Sequence, residues 1–195
     1  QDIGTVSQKG SMSSPDGQKS YEITGGGANM WFTYDAFHFA WKKVSGDFRF
    51  QAGVEWPKSG GNAHRKACLV VRQDLDADSA YIDVAVHGDG LTSLQFRKVK
   101  GDITAQTEMP TAKAATVMQL ERRGNLFILS AARFGEPFEI AQIEDASFVP
   151  EEAYVGLFLS SHNAEVKETV VFRHVRVIKP VKVGFQPYRD YIGSR

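Results

Sequence analysis

The clearest structural signal in this chain of 195 residues is the stretch YIDVAVHGDGLTSLQFR, residues 81–97. Apolar side chains occupy every second position over 82–86 and again over 94–96, and Gly-Asp-Gly separates the two runs at 88–90. Alternation with a period of two is typical of a half-buried β-strand, and a short Gly-rich segment is typical of a tight turn. The stretch therefore predicts an antiparallel β-hairpin.

The register of this hairpin follows from its apolar residues. Closing the turn with His87 opposite Leu91 places Val84 opposite Leu94, so that the apolar side chains meet on one face. A shift of one residue would put Leu94 next to Asp83, which would bury a charge in the core. The other face of the hairpin and of the preceding strand then gathers these polar side chains: Arg72, Tyr81, Asp83, His87, Ser93, Gln95 and Arg97.

The same alternation recurs along the chain, for example over 48–56 and 154–159, with Gly, Asn and Pro between the runs. Many short strands without a long helical period predict an all-β antiparallel β-sandwich of the jelly-roll type. The segment 112–123 is rich in Ala and is compatible with a helix. A hairpin of 117–123 with 126–130 is favoured, because Gly-Asn separates two strand-like runs.

Composition excludes several classes of function. The chain has 23 Lys+Arg against 23 Asp+Glu, and this balance argues against coating of nucleic acid and against a polybasic membrane-surface binder. No apolar run reaches the roughly 18 residues of a membrane span. Cys68 is the only cysteine, so no disulfide within one chain is possible. Because Cys68 lies in an apolar run, it is predicted to be an inert, buried thiol.

Four further motifs carry a family resemblance. They are SGDF at 45–48, HRKACLVVR at 64–72, YVGL at 154–157 and SHN at 161–163. With them, the chain resembles the concanavalin A-like lectin/glucanase superfamily, in the branch of small jelly-roll domains of unknown function from bacterial secreted proteins. The resemblance covers roughly residues 20–178. It implies a concanavalin A-like jelly roll and a context related to sugars.

The resemblance also has implications for organisation and location. Similar domains precede propeller domains in TolB-like periplasmic proteins, and the segment 185–195 resembles the run into such a propeller. This implies one sandwich domain over 1–178, a C-terminal tail or linker over 179–195, and a fused or associated propeller as partner. It also implies export to the periplasm or the extracellular space.

The polar face of the predicted sheet is the leading candidate for a binding site. Planar groups rich in hydrogen bonds and with few rotatable bonds suit recognition of sugars or anions. We therefore expect a carbohydrate- or glycoconjugate-binding module, although a face that is merely solvated is the simpler interpretation. The expected ligand contacts are Trp31, His38, Lys66, Arg72, Tyr81, Asp83, His87, Gln95, Arg97 and His162.

Two other functions stay open at this point. The first is a glycoside hydrolase-like enzyme in which Asp83 acts with Glu55 or His87, since hydrolysis needs two groups roughly 5 to 10 Å apart. The glucanases of the superfamily carry a Glu-x-Asp-x-x-Glu run, which this sequence lacks. The second is a structural domain that packs on a propeller or envelope partner.

No cofactor is predicted, and the candidates for metal binding are weak. His38, His64, His87 and His162 lack the spacing that places two ligands on one element, so no metal site is expected from them. Calcium would need clustered carboxylates, and the only dense acidic segment is 74–78. Since this segment lacks the pattern of an EF-hand loop, a solvated turn is favoured there.

Overall fold

The computed structural model describes residues 1–17 and 20–179, and more than half of the chain lies in β-strands. Of the predicted tail 179–195, all but Lys179 lies outside the described residues. The fourteen strands within the described ranges are β1 (Asp2–Ile3), β2 (Ser11–Ser13), β3 (Ser20–Gly27), β4 (Phe37–Ser45), β5 (Phe48–Glu55), β6 (Lys66–Arg72), β7 (Tyr81–His87), β8 (Thr92–Arg97), β9 (Ala105–Glu108), β10 (Val117–Arg123), β11 (Leu126–Ala132), β12 (Glu139–Ile143), β13 (Glu152–Ser160) and β14 (Asn163–Ile178).

The strands form two antiparallel sheets that pack face to face. Sheet A has the order β1-β4-β13-β6-β7-β8-β9, and sheet B has the order β12-β11-β10-β5-β14-β3-β2. The only helical element in residues 1–17 and 20–179 is a 3-10 turn at Pro110–Ala112. No helix within these ranges is long and apolar enough to cross a membrane. The prediction of an all-β antiparallel sandwich is confirmed.

The predicted registers are also confirmed. Val84 lies opposite Leu94 and Asp83 lies opposite Gln95 in the β7–β8 pair. The ambiguous segment is a hairpin and not a helix, because β10 pairs with β11 along its whole length. The turn between them contains Gly124 with a φ of 57°, a conformation that glycine adopts without steric cost.

One large apolar core fills the space between the sheets. It contains Leu69 and Val84 from sheet A, and it contains Phe48, Phe50 and Leu120 from sheet B. Each fully buried side chain of this size contributes about 1.5–3 kcal/mol through the removal of apolar surface from water. Burial of the apolar side chains that alternate along the strands therefore makes the main stabilising contribution to the fold.

A second apolar cluster lies on the other side of sheet A, on the face that points away from sheet B. It contains Ile3 from β1, Met30 from the β3–β4 loop, and Phe37, Cys68 and Phe158 from the sheet itself. Cys68 is buried here, and burial raises the pKa of its thiol well above 9.0. The N-terminal strand and the β3–β4 loop thus cover part of a face that the sequence predicts to be open.

Candidate functional site

The site is built on the outer face of sheet A, by which we mean the side chains of β6, β7 and β8 that point away from sheet B. Its polar members come from both halves of the predicted hairpin and from β6. They are Lys66, Arg72, Tyr81, Asp83, His87, Ser93, Gln95 and Arg97, and all are buried. We call the region of Arg72, Tyr81 and Arg97 the Arg end, and the region of Lys66, His87 and Gln95 the Lys66 end.

At the Arg end, a carboxylate from a distant loop lies between two guanidinium groups. Asp35 Oδ2 accepts hydrogen bonds from Arg72 at 2.8 Å and from Arg97 at 2.9 Å, and Asp35 Oδ1 accepts one from Arg97 at 2.7 Å. All three side chains have no exposed surface. Charges this deeply buried are tolerated only because they are paired and hydrogen-bonded.

The remaining donors at the Arg end bind loop carbonyl groups. Arg72 donates to Asp76 O at 2.7 Å, and Arg97 donates to Phe32 O at 2.7 Å and to Asp102 O at 2.8 Å. These three carbonyl groups belong to three separate loops, which the two arginines therefore hold over the sheet.

Tyr81 at the Arg end is enclosed in the same way. Its hydroxyl forms a hydrogen bond of 2.8 Å with Thr104, and the guanidinium of Arg97 lies 5.2 Å from its ring centroid. The sequence predicts that Arg72, Tyr81 and Arg97 line an open groove. In the structure this end of the face is closed, because loops supply the partners that a ligand would otherwise supply.

The Lys66 end holds a polar network without a bound carboxylate. Lys66 Nζ donates to Met30 O at 2.9 Å and to Gln95 Oε1 at 3.1 Å. Gln95 Nε2 donates to Ser93 Oγ at 3.1 Å and lies 3.4 Å from His87 Nε2. The network thus forms a buried floor of amide, imidazole, hydroxyl and ammonium groups.

The protonation state of His87 follows from its surroundings. Its Nδ1 lies 2.9 Å from Leu91 O, a carbonyl oxygen that can only accept, so Nδ1 carries a hydrogen and Nε2 faces the network. Burial, with help from the nearby charge of Lys66, lowers the pKa of His87 to about 4. The imidazole is therefore neutral at pH 7.

Three partly exposed or exposed side chains surround this floor. The Trp31 ring centroid lies 5.1 Å from Lys66 Nζ, and the rings of His64 and His162 are 5.4 Å apart. His64 also lies 6.5 Å from His87, centroid to centroid. Trp31 and His162 are half-buried and His64 is exposed. Together they make a rim of aromatic and imidazole rings above buried polar groups.

His64 is a rim residue that the predicted set of ligand contacts lacks. It comes two residues before β6, and His162 comes two residues after β13. Because Lys66 pairs with Ser160, the two loops that carry these histidines meet at the same end of sheet A. The Asn62 side chain donates to His162 O at 3.2 Å and fastens the loops together. Pairing of strands so distant in sequence is not readable from local patterns.

Asp83 lies between the two ends and is completely buried. Neither of its carboxyl oxygens has a hydrogen-bond partner within residues 1–17 and 20–179. Burial raises its pKa well above 3.8, although the nearby charges of Lys66 and Arg72 act in the opposite direction. A carboxyl group in this environment is stabilised in its neutral form.

The structure does not bring Asp83 and Glu55 together. Glu55 ends β5, which belongs to sheet B, and its exposed carboxylate accepts a hydrogen bond of 3.0 Å from Arg173. Asp83 lies on the outer face of sheet A. The predicted pair of catalytic carboxyl groups is therefore not formed, because the two strands belong to opposite layers of the sandwich.

His38 is likewise placed away from the predicted site. It belongs to β4, and its Nδ1 lies 2.7 Å from Asp2 Oδ1. Gly10 and Gly25 pack directly on its side chain, where a Cβ atom would come within 2.2 Å and 2.8 Å of it. Since Gly25 belongs to sheet B, His38 points between the sheets and not toward the outer face.

The acidic loop at 74–78 contains a cation of its own. Lys100 Nζ lies 3.1 Å from an Asp74 oxygen and 3.6 Å from an Asp78 oxygen, and it also pairs with Asp76. The ammonium group occupies the position among the carboxylates where a calcium ion would be expected. In the part of the chain that the structure describes, no group of three or more His, Cys, Asp or Glu side chains is arranged to hold a metal ion.

Comparisons with known proteins find relatives only at the level of structure. No family model matches the chain, and no curated protein matches it. A protein of unknown function from Saccharomyces cerevisiae is similar, with a TM-score of 0.63, 11% identity and coverage of 90% of this chain and 97% of that one. The carbohydrate-binding module CBM66 from Bacillus subtilis has a TM-score of 0.53, 17% identity and coverage of 90% and 96%.

A third similar structure is the GH43 protein BlXynB from Bacillus licheniformis, with a TM-score of 0.55 and 13% identity. The match covers 85% of this chain but only 35% of that protein. At these identities the likeness shows the fold alone. It is a jelly-roll sandwich of the concanavalin-like type, as the sequence predicts.

Proposed function

We propose that this chain is a non-catalytic module that binds a carbohydrate or glycoconjugate at the Lys66 end of the outer face. The observation that carries the proposal is the rim of Trp31, His64 and His162 above the buried floor of Lys66 and Gln95. An aromatic ring offers a flat surface for the C–H groups of a sugar, and fixed polar groups orient its hydroxyls.

The structural neighbours support a function related to carbohydrates. A carbohydrate-binding module matches nearly the whole chain, and a GH43 protein contains a region of the same fold. Fold likeness alone does not imply function, so the local arrangement of the Lys66 end is the stronger support.

Binding is favoured over hydrolysis by the state of the carboxyl groups. Hydrolysis needs two carboxyl groups on opposite sides of the scissile bond. On the outer face, Asp35 is held by two arginines and Asp83 is wholly buried, while Glu55 belongs to the other sheet. None of these three is available at the rim.

We further propose that the module belongs to an exported protein and acts beside a propeller domain. This part rests on the resemblance to domains that precede propellers in TolB-like periplasmic proteins. Sequencing of the complete reading frame tests it directly, and fractionation of cells that express the full protein tests its location. A protein found only in the cytoplasm would contradict the proposal.

Titration calorimetry against the glycans selected by an array tests the binding site. Trp31→Ala should weaken binding about tenfold or more, because it removes the stacking surface of the rim. The matched control is Trp41→Ala. Trp41 lies on β4 of the same sheet and is 38% exposed, and its ring centroid is 4.8 Å from that of Tyr154 on β13. Trp41→Ala should leave the affinity within about twofold.

Two results would contradict the proposed function. The absence of binding to every glycan on the array would favour the alternative of a structural interaction domain. Release of reducing ends from a bound oligosaccharide, lost in Asp83→Asn while the fold survives, would favour the hydrolase alternative.

A further inference from the structure

Lys66 differs from the other buried cations of the outer face in having no carboxylate within ion-pair distance, although the charge of buried Asp83 acts on it. Its side chain is buried, and its ammonium group donates to a backbone carbonyl and to a side-chain amide. No ion pair within residues 1–17 and 20–179 involves Lys66, whereas Arg72 and Arg97 share Asp35. A buried ammonium with only neutral acceptors is unusual, because the interior normally supplies a charge to pair with it.

The buried charges of the outer face do not cancel. The cations are Lys66, Arg72 and Arg97, and the anions are Asp35 and Asp83. One positive charge is therefore in excess even when Asp83 is ionised. Burial raises the pKa of Asp83 and lowers the pKa of Lys66, and the charge of each group opposes the shift of the other, so the count of one excess charge holds with both groups ionised.

The remaining titratable groups near Lys66 do not remove this excess. His87 and His162 have pKa values lowered by burial and by the charge of Lys66 itself, so both are neutral at pH 7. The carboxylates of Asp89 and Glu108 are exposed to water. Solvent screens such exposed charges strongly and screens a buried ammonium much less.

We propose that the Lys66 end selects a sugar that carries a single negative charge, a uronate or a sulfate ester. This inference rests on the proposed function, and it makes Lys66 the residue that determines specificity. The ammonium does not have to touch the ligand. In a medium of low dielectric, an uncompensated charge acts on an anion at the rim over several ångströms, and the walls of the site focus this field.

The donors at this end of the face favour a monoanion over a phosphate. Bidentate recognition of phosphate uses arginine, but Arg72 and Arg97 direct their N–H groups to Asp35 and to loop carbonyls. At the rim, His162 Nδ1 has no hydrogen-bond partner within residues 1–17 and 20–179, and a single imidazole N–H suits one carboxylate or sulfate oxygen. The excess of one positive charge on the outer face also matches a ligand with one negative charge.

Calorimetry with three matched probes tests the inference on the unaltered chain. The probes are the methyl glycoside of galacturonic acid, its methyl ester and the carboxyl-reduced glycoside, which keep the sugar skeleton while the single charge is removed. The acid should bind about tenfold more tightly than either neutral form. A sulfated galactose oligosaccharide that binds still more tightly would assign the charge to a sulfate ester and would also support the proposal.

A substitution then tests the role of Lys66. In Lys66→Met the preference for the acid over the methyl ester should fall from about tenfold to about one, whatever happens to the absolute affinities. Lys43→Met is the matched control, because Lys43 is an exposed lysine of the same sheet that pairs with Glu152 at 2.8 Å. This control should keep the preference of the unaltered chain.

Several outcomes would overturn the inference. They are equal binding of acid and ester without tighter binding of the sulfated sugar, a preference for the charged sugar that survives Lys66→Met, and competition by acetate as strong as that by the sugar acid. If Lys66→Met does not fold, the comparison of acid and ester still decides. Binding of neutral glycans only would overturn the inference and leave the proposed function intact, whereas the absence of all glycan binding would overturn both.

Discussion

The two ends of the outer face have similar residues and different roles. At the Arg end, two guanidinium groups receive a carboxylate from Asp35 and then bind the carbonyl groups of three loops. At the Lys66 end, the ammonium donates only to neutral acceptors, a carbonyl of the β3–β4 loop and an amide oxygen, and the ring of Trp31 from that loop lies beside it. The comparison shows that an ion pair with a loop carboxylate closes the Arg end, whereas the Lys66 end has only neutral hydrogen-bond acceptors.

The position of Asp35 explains why the closure is confined to one end. Its backbone N–H donates to Ala77 O at 2.6 Å, so the β3–β4 loop is fastened to the loop that follows β6. Met30, earlier in the same loop, reaches Lys66 only with a backbone carbonyl. The loop thus brings a full negative charge to the arginines and only a dipole to the lysine.

The largest effect is expected for Asp35→Asn, which removes the negative charge that distinguishes the Arg end from the Lys66 end. This change leaves two buried guanidinium groups without a counterion, and we expect a loss of about 3–5 kcal/mol in the free energy of unfolding. Urea denaturation monitored by tryptophan fluorescence measures the change. A loss below about 1 kcal/mol would mean that the loops are held mainly by carbonyl groups and not by charge.

The second prediction concerns pH at the Lys66 end. Because the pKa of His87 is about 4 in the folded chain and 6.5 is its ordinary value, the unfolded state binds the proton first as pH falls. The folded chain should therefore lose about 3 kcal/mol between pH 6.5 and pH 4 through this group.

Denaturation of His87→Asn over the same pH range isolates the effect of His87. The amide N–H of Asn can still donate to Leu91 O, so the variant should keep the local hydrogen bond and lose the pH-dependent contribution. Parallel stability curves for the two proteins would show that His87 titrates normally in the folded chain.

The smallest effect is expected on the other sheet. Glu55→Gln breaks an exposed ion pair with Arg173, whose side chains are 53% and 50% exposed, and should change the unfolding free energy by less than about 1 kcal/mol. It should also leave glycan binding unchanged, since Glu55 is not on the outer face. Thermal denaturation measures the change in stability, and calorimetry measures glycan binding. A large loss of binding would indicate that the binding site involves sheet B and not the outer face of sheet A.

The hairpin at 81–97 shows how far local patterns reach. The alternation of Val84 and Leu94 with Asp83 and Gln95 predicts the correct strands, the correct register and the correct grouping of polar residues on one face. The pattern does not predict whether that face is covered. The cover comes from Asp35 and Met30, which lie far away in sequence and in a loop without periodicity.

The amino-acid sequence by itself determined the all-β class, the pairing of β6, β7 and β8, and the composition of the outer face. These properties follow from an alternation of period two, because each strand must bury one side against the other sheet. Only the tertiary structure decided that Glu55 and His38 lie elsewhere, that His64 joins His162, and that Arg72 and Arg97 are buried. Those placements depend on which distant loops meet, and a short-range pattern contains no information about such contacts.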